Sequence, residues 1–406
     1  MMMNMVAGGV CAPKGFKASG VHCGIRKNKT KKDLAMILSD VPASAAAVYT
    51  TNLVKGAPLT VTKKHIADGV AQMVICNSGN ANTCNADGEY IAETMCQMAG
   101  KVAGILAENV IVASTGVIGQ PLPLAPIEAG MQPLYDALSY EGSQAAAEGI
   151  MTTDTRLKEV AVTFQAGGVT CTLGGIAKGS GMIHPNMETM LVFVTTDAAI
   201  SPAMLSKALK ADVQDTFNMV SVDGDTSTND MVTVMANGMA GNAVIDADGA
   251  DYDAFCAALK TVTTALCRMI ARDGEGATRL ITCNVTGGKT VADAKKAAKS
   301  VACSSLLKAA IFGSDANWGR VLCALGYSGA DIDVTKVNVT FHSVKGDILV
   351  CKDGAGVDFS EEQAKEILLE EEIDVNVTLG DGDACATAWG CDLTYDYVKI
   401  NGDYRT

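Results

Sequence analysis

The sequence predicts a layered α/β fold with a smaller α+β unit toward its C-terminal end. Two patterns carry this expectation: helical spacings of apolar residues alternate with short β-rich runs, and several of those runs end in loops of small polar residues. A third is size, because 406 residues with 48% hydrophobic and 19% charged side chains exceed one small core and suggest two or three folded units.

Residues 72–76 (QMVIC) form the first β-rich run, and CNSGNANTCNADG follows from residue 76. After Glu89 and Tyr90, Ile91, Met95, Met98, Val102 and Ile105 recur at spacings of four, three, four and three, which is one face of a helix. Residues 110–112 (VIV) and 160–164 (VAVTF) read as strands, the first followed by ASTGVIG. Met190 to Val194 (MLVFV) reads as a buried strand. Ser201 and Pro202 supply a helix cap and a proline suited to the first helical position, ahead of AMLSKALKADVQDTF. Phe255, Leu259, Val262, Leu266 and Met269 mark a second amphipathic helix. The Gly/Asp-rich segment around residues 273–278 (DGEGAT) is the softest boundary, and a second unit is expected beyond it. That unit contains strands at 337–341 and 375–379 and the helix SEEQAKEILLEEE, whose glutamates form a solvated face.

Loops at strand ends are where rigid scaffolds carry sites, and glycines there let a ligand approach the backbone. VDGDTSTND (222–230) and FGSDANWGR (312–320) are further such loops. The balance of 32 basic against 45 acidic residues gives a net charge of -13, so no basic stripe and no nucleic-acid partner are expected. No uninterrupted apolar run approaches the roughly 18 residues of a membrane span. The opening MMMNMVAGGVCAPKG lacks the features of a secretory or transit signal, and a cytoplasmic location is the expectation. Fourteen cysteines occur without a C-x-x-C pair and read mostly as small buried hydrophobes.

Several chemistries fail on spacing. Counted as calcium loops from Asp223 or Asp246, the twelfth positions are Val234 and Ala257, where a bidentate glutamate is needed. With only four histidines and no paired cysteines, no metal site is expected. No phosphate-binding loop, strand-linked G-x-G-x-x-G or G-x-S-x-G elbow is present. The segment KGSGMIHPNMETMLVFVTTDA (178–198) remains. A threonine at a chain terminus carries its own base, because an α-amine titrates near pH 8 within reach of its own Oγ. Thr189 could gain that amine by attacking the carbonyl of Glu188, shifting the acyl group to oxygen and losing it to water; Gly179, Gly181 and Pro185 are suitable restrictors of such a peptide. Read from these residues alone, Thr189 is more simply a solvent-facing residue at the end of a strand.

The same segment resembles the cleavage region of the ornithine acetyltransferase family, also called glutamate N-acetyltransferase. NSGNANTC (77–84), STGVIG (114–119), MTTDT (151–155), VDGDTSTND, ARDGEGATR (271–279), FGSDANWGR and YVKINGDYRT (397–406) resemble it too, in order along nearly the whole chain. The resemblance implies the layered fold shared with N-terminal-nucleophile aminopeptidases. It implies cleavage between Glu188 and Thr189 into an α chain, 1–188, and a β chain, 189–406. Residues 189–278 then complete the catalytic domain, and 279–406 form a C-terminal α+β domain whose tail reaches the substrate site. Thr189 is implied as the nucleophile and Thr115 and Gly116 as the oxyanion hole. The implied substrate contacts are Thr152 or Thr153, Lys178, Thr189, Glu275, Asn401 and Thr406. The implied reaction moves an acetyl group from N2-acetylornithine to glutamate without a cofactor, acetyl-CoA being an alternative donor in some members, in a heterotetramer of two α and two β chains. Glu188 departs from the small alanine usual at that position. An N-terminal-nucleophile amidohydrolase or aminopeptidase, and a non-catalytic amino-acid-binding relative, are the competing readings.

Overall fold

Strands from distant parts of the chain meet in two sheets. The computed structural model describes residues 3–184 and 190–403. The first sheet contains β1 (Asn4–Val6), β2 (Phe16–Val21), β3 (Leu34–Tyr49), β4 (Val70–Asn80), β5 (Val110–Val117), β6 (Lys158–Ala166), β7 (Val169–Lys178), β8 (Leu191–Thr196) and β9 (Met231–Ala236). Its order is β1-β6-β7-β8-β9-β3-β4-β5, with β2 paired to β3. The second, ordered β13-β12-β11-β14-β10-β15, contains β10 (Leu280–Gly288), β11 (Asn338–Ser343), β12 (Gly346–Lys352), β13 (Ala355–Gly356), β14 (Glu372–Thr378) and β15 (Ala384–Cys391).

Helices α1 (Ala57–His65), α2 (Gly88–Ala103), α3 (Leu124–Asp136), α4 (Ser143–Ile150), α5 (Pro202–Asp212) and α6 (Ala250–Arg272) accompany the first sheet. Later in the chain come α7 (Val291–Cys303), α8 (Ser305–Phe312), α9 (Trp318–Gly326), α10 (Glu361–Leu368) and α11 (Tyr395–Asp403).

The period of two along each strand sorts side chains into layers. On β8, Val192 and Val194 join the cluster that includes Phe255, Leu259 and Leu266 of α6, whereas Leu191 and Phe193 join one with Val74, Cys76 and Ile111 of β4 and β5. On β4, Met73 and Ile75 face the opposite way, toward Ile91 and Met95 of α2 and Ile127 of α3. The layers therefore run helix, strand, strand, helix. Because both faces of β8 are covered, its sequence is a continuous apolar run rather than an alternation. The cluster on α6 continues to Ile281, Val375 and Ala388, so the second sheet shares a core with the first.

The expected elements are present with shifted ends. Residues 72–76 lie in β4, 110–112 in β5, 160–164 in β6, and the two amphipathic helices are α2 and α6. Ser201 Oγ accepts from the Met204 N–H at 3.4 Å, capping α5. That helix stops at Asp212, short of the stretch expected, and Phe217 begins a separate turn. SEEQAKEILLEEE is helical only through Leu368, because Glu372 opens β14. Eight of the 14 cysteines are buried, but Cys84, Cys323 and Cys385 are exposed. By length and composition α6 could cross a membrane; its apolar face, from Phe255 to Ile270, lies in the core instead. One expectation is corrected: residues 26–32 (RKNKTKK) place five basic side chains in one surface loop between β2 and β3.

Phe193 has no solvent to collapse into, being 1% exposed between two strand layers. Phe193→Ala is expected to cost about 3–5 kcal/mol in chemical denaturation of the full-length protein.

Candidate active site

The ends of three adjacent strands define the site. Lys178 closing β7 pairs with Leu191 opening β8, and Leu191 pairs with Met231 opening β9. A cavity at this edge is lined by Thr115, Lys178, Gly181, Met182, Ile183, Met190, Ser227, Asn229 and Asp230. Lys178 Nζ donates to Thr115 Oγ1 at 3.2 Å. Burial lowers the Lys178 pKa, Lys158 and Arg26 add to that effect, and Asp154 and Asp230 oppose it. Gly116 has φ of 135°, and a Cβ there would lie 2.3 Å from the carbonyl carbon of Gly79, its partner on β4. Only glycine fits there, because the β4 backbone packs directly against it.

The connection from β7 to β8 is fixed up to His184. Gly179 N–H donates to Asp154 Oδ1 at 2.8 Å, Ser180 Oγ to the Asp273 carbonyl at 2.7 Å, and Glu275 N–H to the Ser180 carbonyl at 2.9 Å. The Asp223 carboxylate accepts from Met182 N–H at 2.6 Å, Ile183 N–H at 2.8 Å and the Tyr397 hydroxyl at 3.2 Å. Thr226 Oγ1 donates to the His184 carbonyl at 2.8 Å, and His184 Nδ1 lies 3.1 Å from Ser221 Oγ. Burial, then the charge of Lys299, lowers the His184 pKa against Asp223 and Asp225. On the far side, Met231 N–H donates to the Met190 carbonyl at 2.9 Å.

Beneath this connection lies a buried charge cluster. Lys158 Nζ donates to Asp154 Oδ1 at 2.8 Å and to Asp273 Oδ2 at 2.5 Å, with Lys158 and Asp154 side chains at most 1% exposed. One ammonium cannot fill all the acceptor sites of two carboxylates, and backbone supplies further donors: Thr152 N–H donates to Asp154 at 2.9 Å, and Thr155 and Arg156 N–H donate to Asp273 at 3.1 and 3.2 Å. Burial pushes the Asp154 carboxyl up, but the charges of Lys158 and Lys178 and the Gly179 N–H outweigh it and hold its pKa well below the usual range.

Of the residues expected at the site, Thr115 and Lys178 meet at the cavity, Gly116 follows Thr115 on β5 against Gly79, and Thr152 is tied to the cluster under it. Thr153, beside it, is partly exposed. Glu275 accepts from Asn401 Nδ2 at 2.7 Å and touches Gly181, where a Cβ would lie 2.4 Å from its carboxyl carbon. Glu188, Thr189 and Thr406 lie outside the described residues. Sequence reasoning gave no role at this site to Asp154, Lys158, Asp223, Asn229 or Asp273. The four other than Lys158 stand inside motifs already singled out, MTTDT, VDGDTSTND and ARDGEGATR. Asn229 Nδ2 donates to the carbonyls of Ala81 at 2.6 Å and Ser114 at 2.9 Å, joining the 81–83 loop to the end of β5.

The ArgJ family model matches residues 17–406. The chain belongs to the ArgJ family. It is 53% identical over 406 residues to the arginine biosynthesis bifunctional protein ArgJ of Symbiobacterium thermophilum, covering all of both chains, and 52% identical over 407 residues to the protein of that name from Caldanaerobacter subterraneus, again end to end. A crystal structure of arginine biosynthesis bifunctional protein ArgJ from Bacillus halodurans is 46% identical, with a TM-score of 0.51, covering 53% of this chain and 100% of that one. Membership makes the chain an arginine-biosynthesis enzyme of the glutamate N-acetyltransferase class, as the motifs implied.

Asp154→Asn leaves Lys158 half-compensated in the interior and is expected to cost about 3–5 kcal/mol at neutral pH. A carboxyl whose folded pKa is depressed stabilises above its unfolded value and loses that contribution as pH falls toward the folded one. The gap in melting temperature between wild type and variant should therefore persist above pH 5 and narrow below about pH 4.

Proposed function

We propose that the chain cuts itself between Glu188 and Thr189, and that Thr189 then carries an acetyl group from N2-acetylornithine to glutamate. The observation that carries this reading is the convergence of Thr115, Gly116 and Lys178 on the strand edge from which the β7–β8 connection leaves, with that connection fixed by hydrogen bonds up to His184 and again at Met190. The length of the Bacillus halodurans chain also supports it: matched from end to end, it spans 53% of this one, close to the share made up by residues 189–406.

In the proposed maturation, Thr189 Oγ adds to the carbonyl carbon of residue 188, the peptide nitrogen leaves as an amine, and water cleaves the ester. The new α-amine then takes the proton from Thr189 Oγ as it attacks the acetyl carbonyl of N2-acetylornithine, and ornithine leaves. Glutamate's amine attacks the acetyl-threonine ester and departs as N-acetylglutamate. Thr115 and the backbone at Gly116 would face the oxyanion of each tetrahedral intermediate. Lys178, aided by Thr152 or Thr153, would receive the α-carboxylate, and a carboxylate beside this buried lysine would hold its proton in place. Glu275, steadied by Asn401, would receive the side-chain ammonium of ornithine, with Thr406 as a further proposed contact. The chemistry needs no cofactor, since the acyl group moves between similar amides; acetyl-CoA would be an alternative donor. The proposed assembly is two copies of each fragment.

Mass spectrometry and N-terminal sequencing test the cut: wild type should give a fragment beginning Thr-Met-Leu-Val-Phe-Val, and Thr189→Ala only the intact chain. An intact, inactive wild-type chain would refute the proposal. Acetylornithine consumption that proceeds equally without glutamate would mark a hydrolase instead. Glu188→Ala should shorten the maturation half-time, because the smaller side chain crowds the attacked carbonyl less. In the mature enzyme, Thr115→Val should lower kcat by about 10²–10³. Wild-type activity should rise with pH up to about 8, as the α-amine loses its proton.

A further inference from the structure

The proposed reaction asks an acidic protein to receive an acidic reactant. At neutral pH glutamate has two carboxylates against one ammonium, whereas N2-acetylornithine balances one carboxylate with one ammonium. A net charge of -13 repels the first and is indifferent to the second.

The loop joining β2 to β3 opposes that field locally. Residues 26–32 hold five basic and no acidic side chains. Lys27, Lys29 and Lys31 are exposed, while Lys32 pairs with Glu148 at 2.8 Å. The loop is built rather than loose. Buried Asp33 accepts N–H groups from Cys23 at 2.6 Å, Gly24 at 3.2 Å and Arg26 at 2.9 Å. Asn28 Oδ1 accepts from Thr30 N–H at 3.0 Å and Thr30 Oγ1 at 2.7 Å, and His22 Nδ1 lies 2.9 Å from the Lys31 carbonyl. These contacts define the turn on which Lys29 and Lys31 sit.

The foot of the loop stands at the active site. The Arg26 guanidinium donates to the carbonyl of Met151, next to Thr152. Its Cγ would lie 2.8 Å from a Cβ placed on Gly79, and Gly79 pairs with Gly116. Arg26 is also close enough for its charge to act on Lys178.

We propose that the β2–β3 loop is an electrostatic receiving arm for the dicarboxylate acceptor, drawing glutamate to the rim of the site while leaving the net-neutral acetyl donor unaffected. The proposal rests on the transfer reaction proposed above. Exposed charges act through solvent over roughly 8 Å at physiological salt, so the effect is strongest at low ionic strength.

The test is steady-state kinetics of the mature full-length enzyme with Lys27, Lys29 and Lys31 all changed to Ser, beside a variant with all three changed to Arg. In a ping-pong reaction the kcat/KM for each substrate reports its own half-reaction. At low salt the serine variant is expected to lose about three- to tenfold in kcat/KM for glutamate. Its value for N2-acetylornithine should stay within about twofold, the arginine variant should match wild type, and the glutamate deficit should shrink as salt is raised. Equal losses for both substrates, or an unchanged glutamate value at low salt, would overturn the proposal. Either result, with wild type transferring acetyl to glutamate, leaves the transfer reading standing; a wild type that transfers nothing refutes both.

Discussion

The arrangement of the site depends on the burial of one lysine between two carboxylates. Lys158 is held by Asp154 and Asp273, from the loop ahead of β6 and from the end of α6. Removing such charges from water is expensive, and the cost is met only if every acceptor is occupied. That requirement recruits the N–H groups of Thr152, Thr155, Arg156 and Gly179. The charge cluster therefore sets the starting direction of the β7–β8 connection and the position of the loop carrying Thr152.

Close backbone approach does the complementary work. Gly116 lies against Gly79, and Gly181 against Glu275, so that no side chain stands between the strand edge and the groups around it. Lys178 is buried in a neighbourhood of mixed charge, with Arg26 and Lys158 lowering its pKa and Asp154 and Asp230 opposing them. A cation kept dry in this way is poised to gain from an incoming carboxylate more than a solvated one would.

Much of the fold was legible because periodicity reports burial directly. The unbroken apolar run at Met190 to Val194 belongs to a strand covered on both faces, and the 3.6-residue spacings at Ile91 to Val102 and Phe255 to Met269 belong to helices against sheets. β3 was not legible: LAMILSDVPASAAAVY is interrupted by Asp40-Val41-Pro42, its ladder to β4 shifts register between Leu38 and Ala43, and ASAAA has no strand-like side chains. Its partners β2, β4 and β9 impose the extended form on it. At the site, the motifs located the loops but not the weight-bearing residue within each. Asp154 and Asp273 are 119 positions apart, and their meeting at Lys158 is a product of tertiary packing. Lys158 gave no signal of its own, since a lysine opening a strand is ordinarily solvated.

The position of β8 has a topological consequence. The pair β8 and β9 lies between β7 on one side and β3 on the other, and both flanking strands precede residue 185 in the chain. A break in the β7–β8 connection would therefore make two polypeptides interleaved within one sheet, the β8–β9 pair of one being inserted between strands of the other. Their separation would require unzipping two hydrogen-bonded ladders at once and exposing the apolar layers on both faces. A molecule matured in this way would keep for life the partner polypeptide it was synthesised with, and a mixture of two differently labelled populations would remain unscrambled.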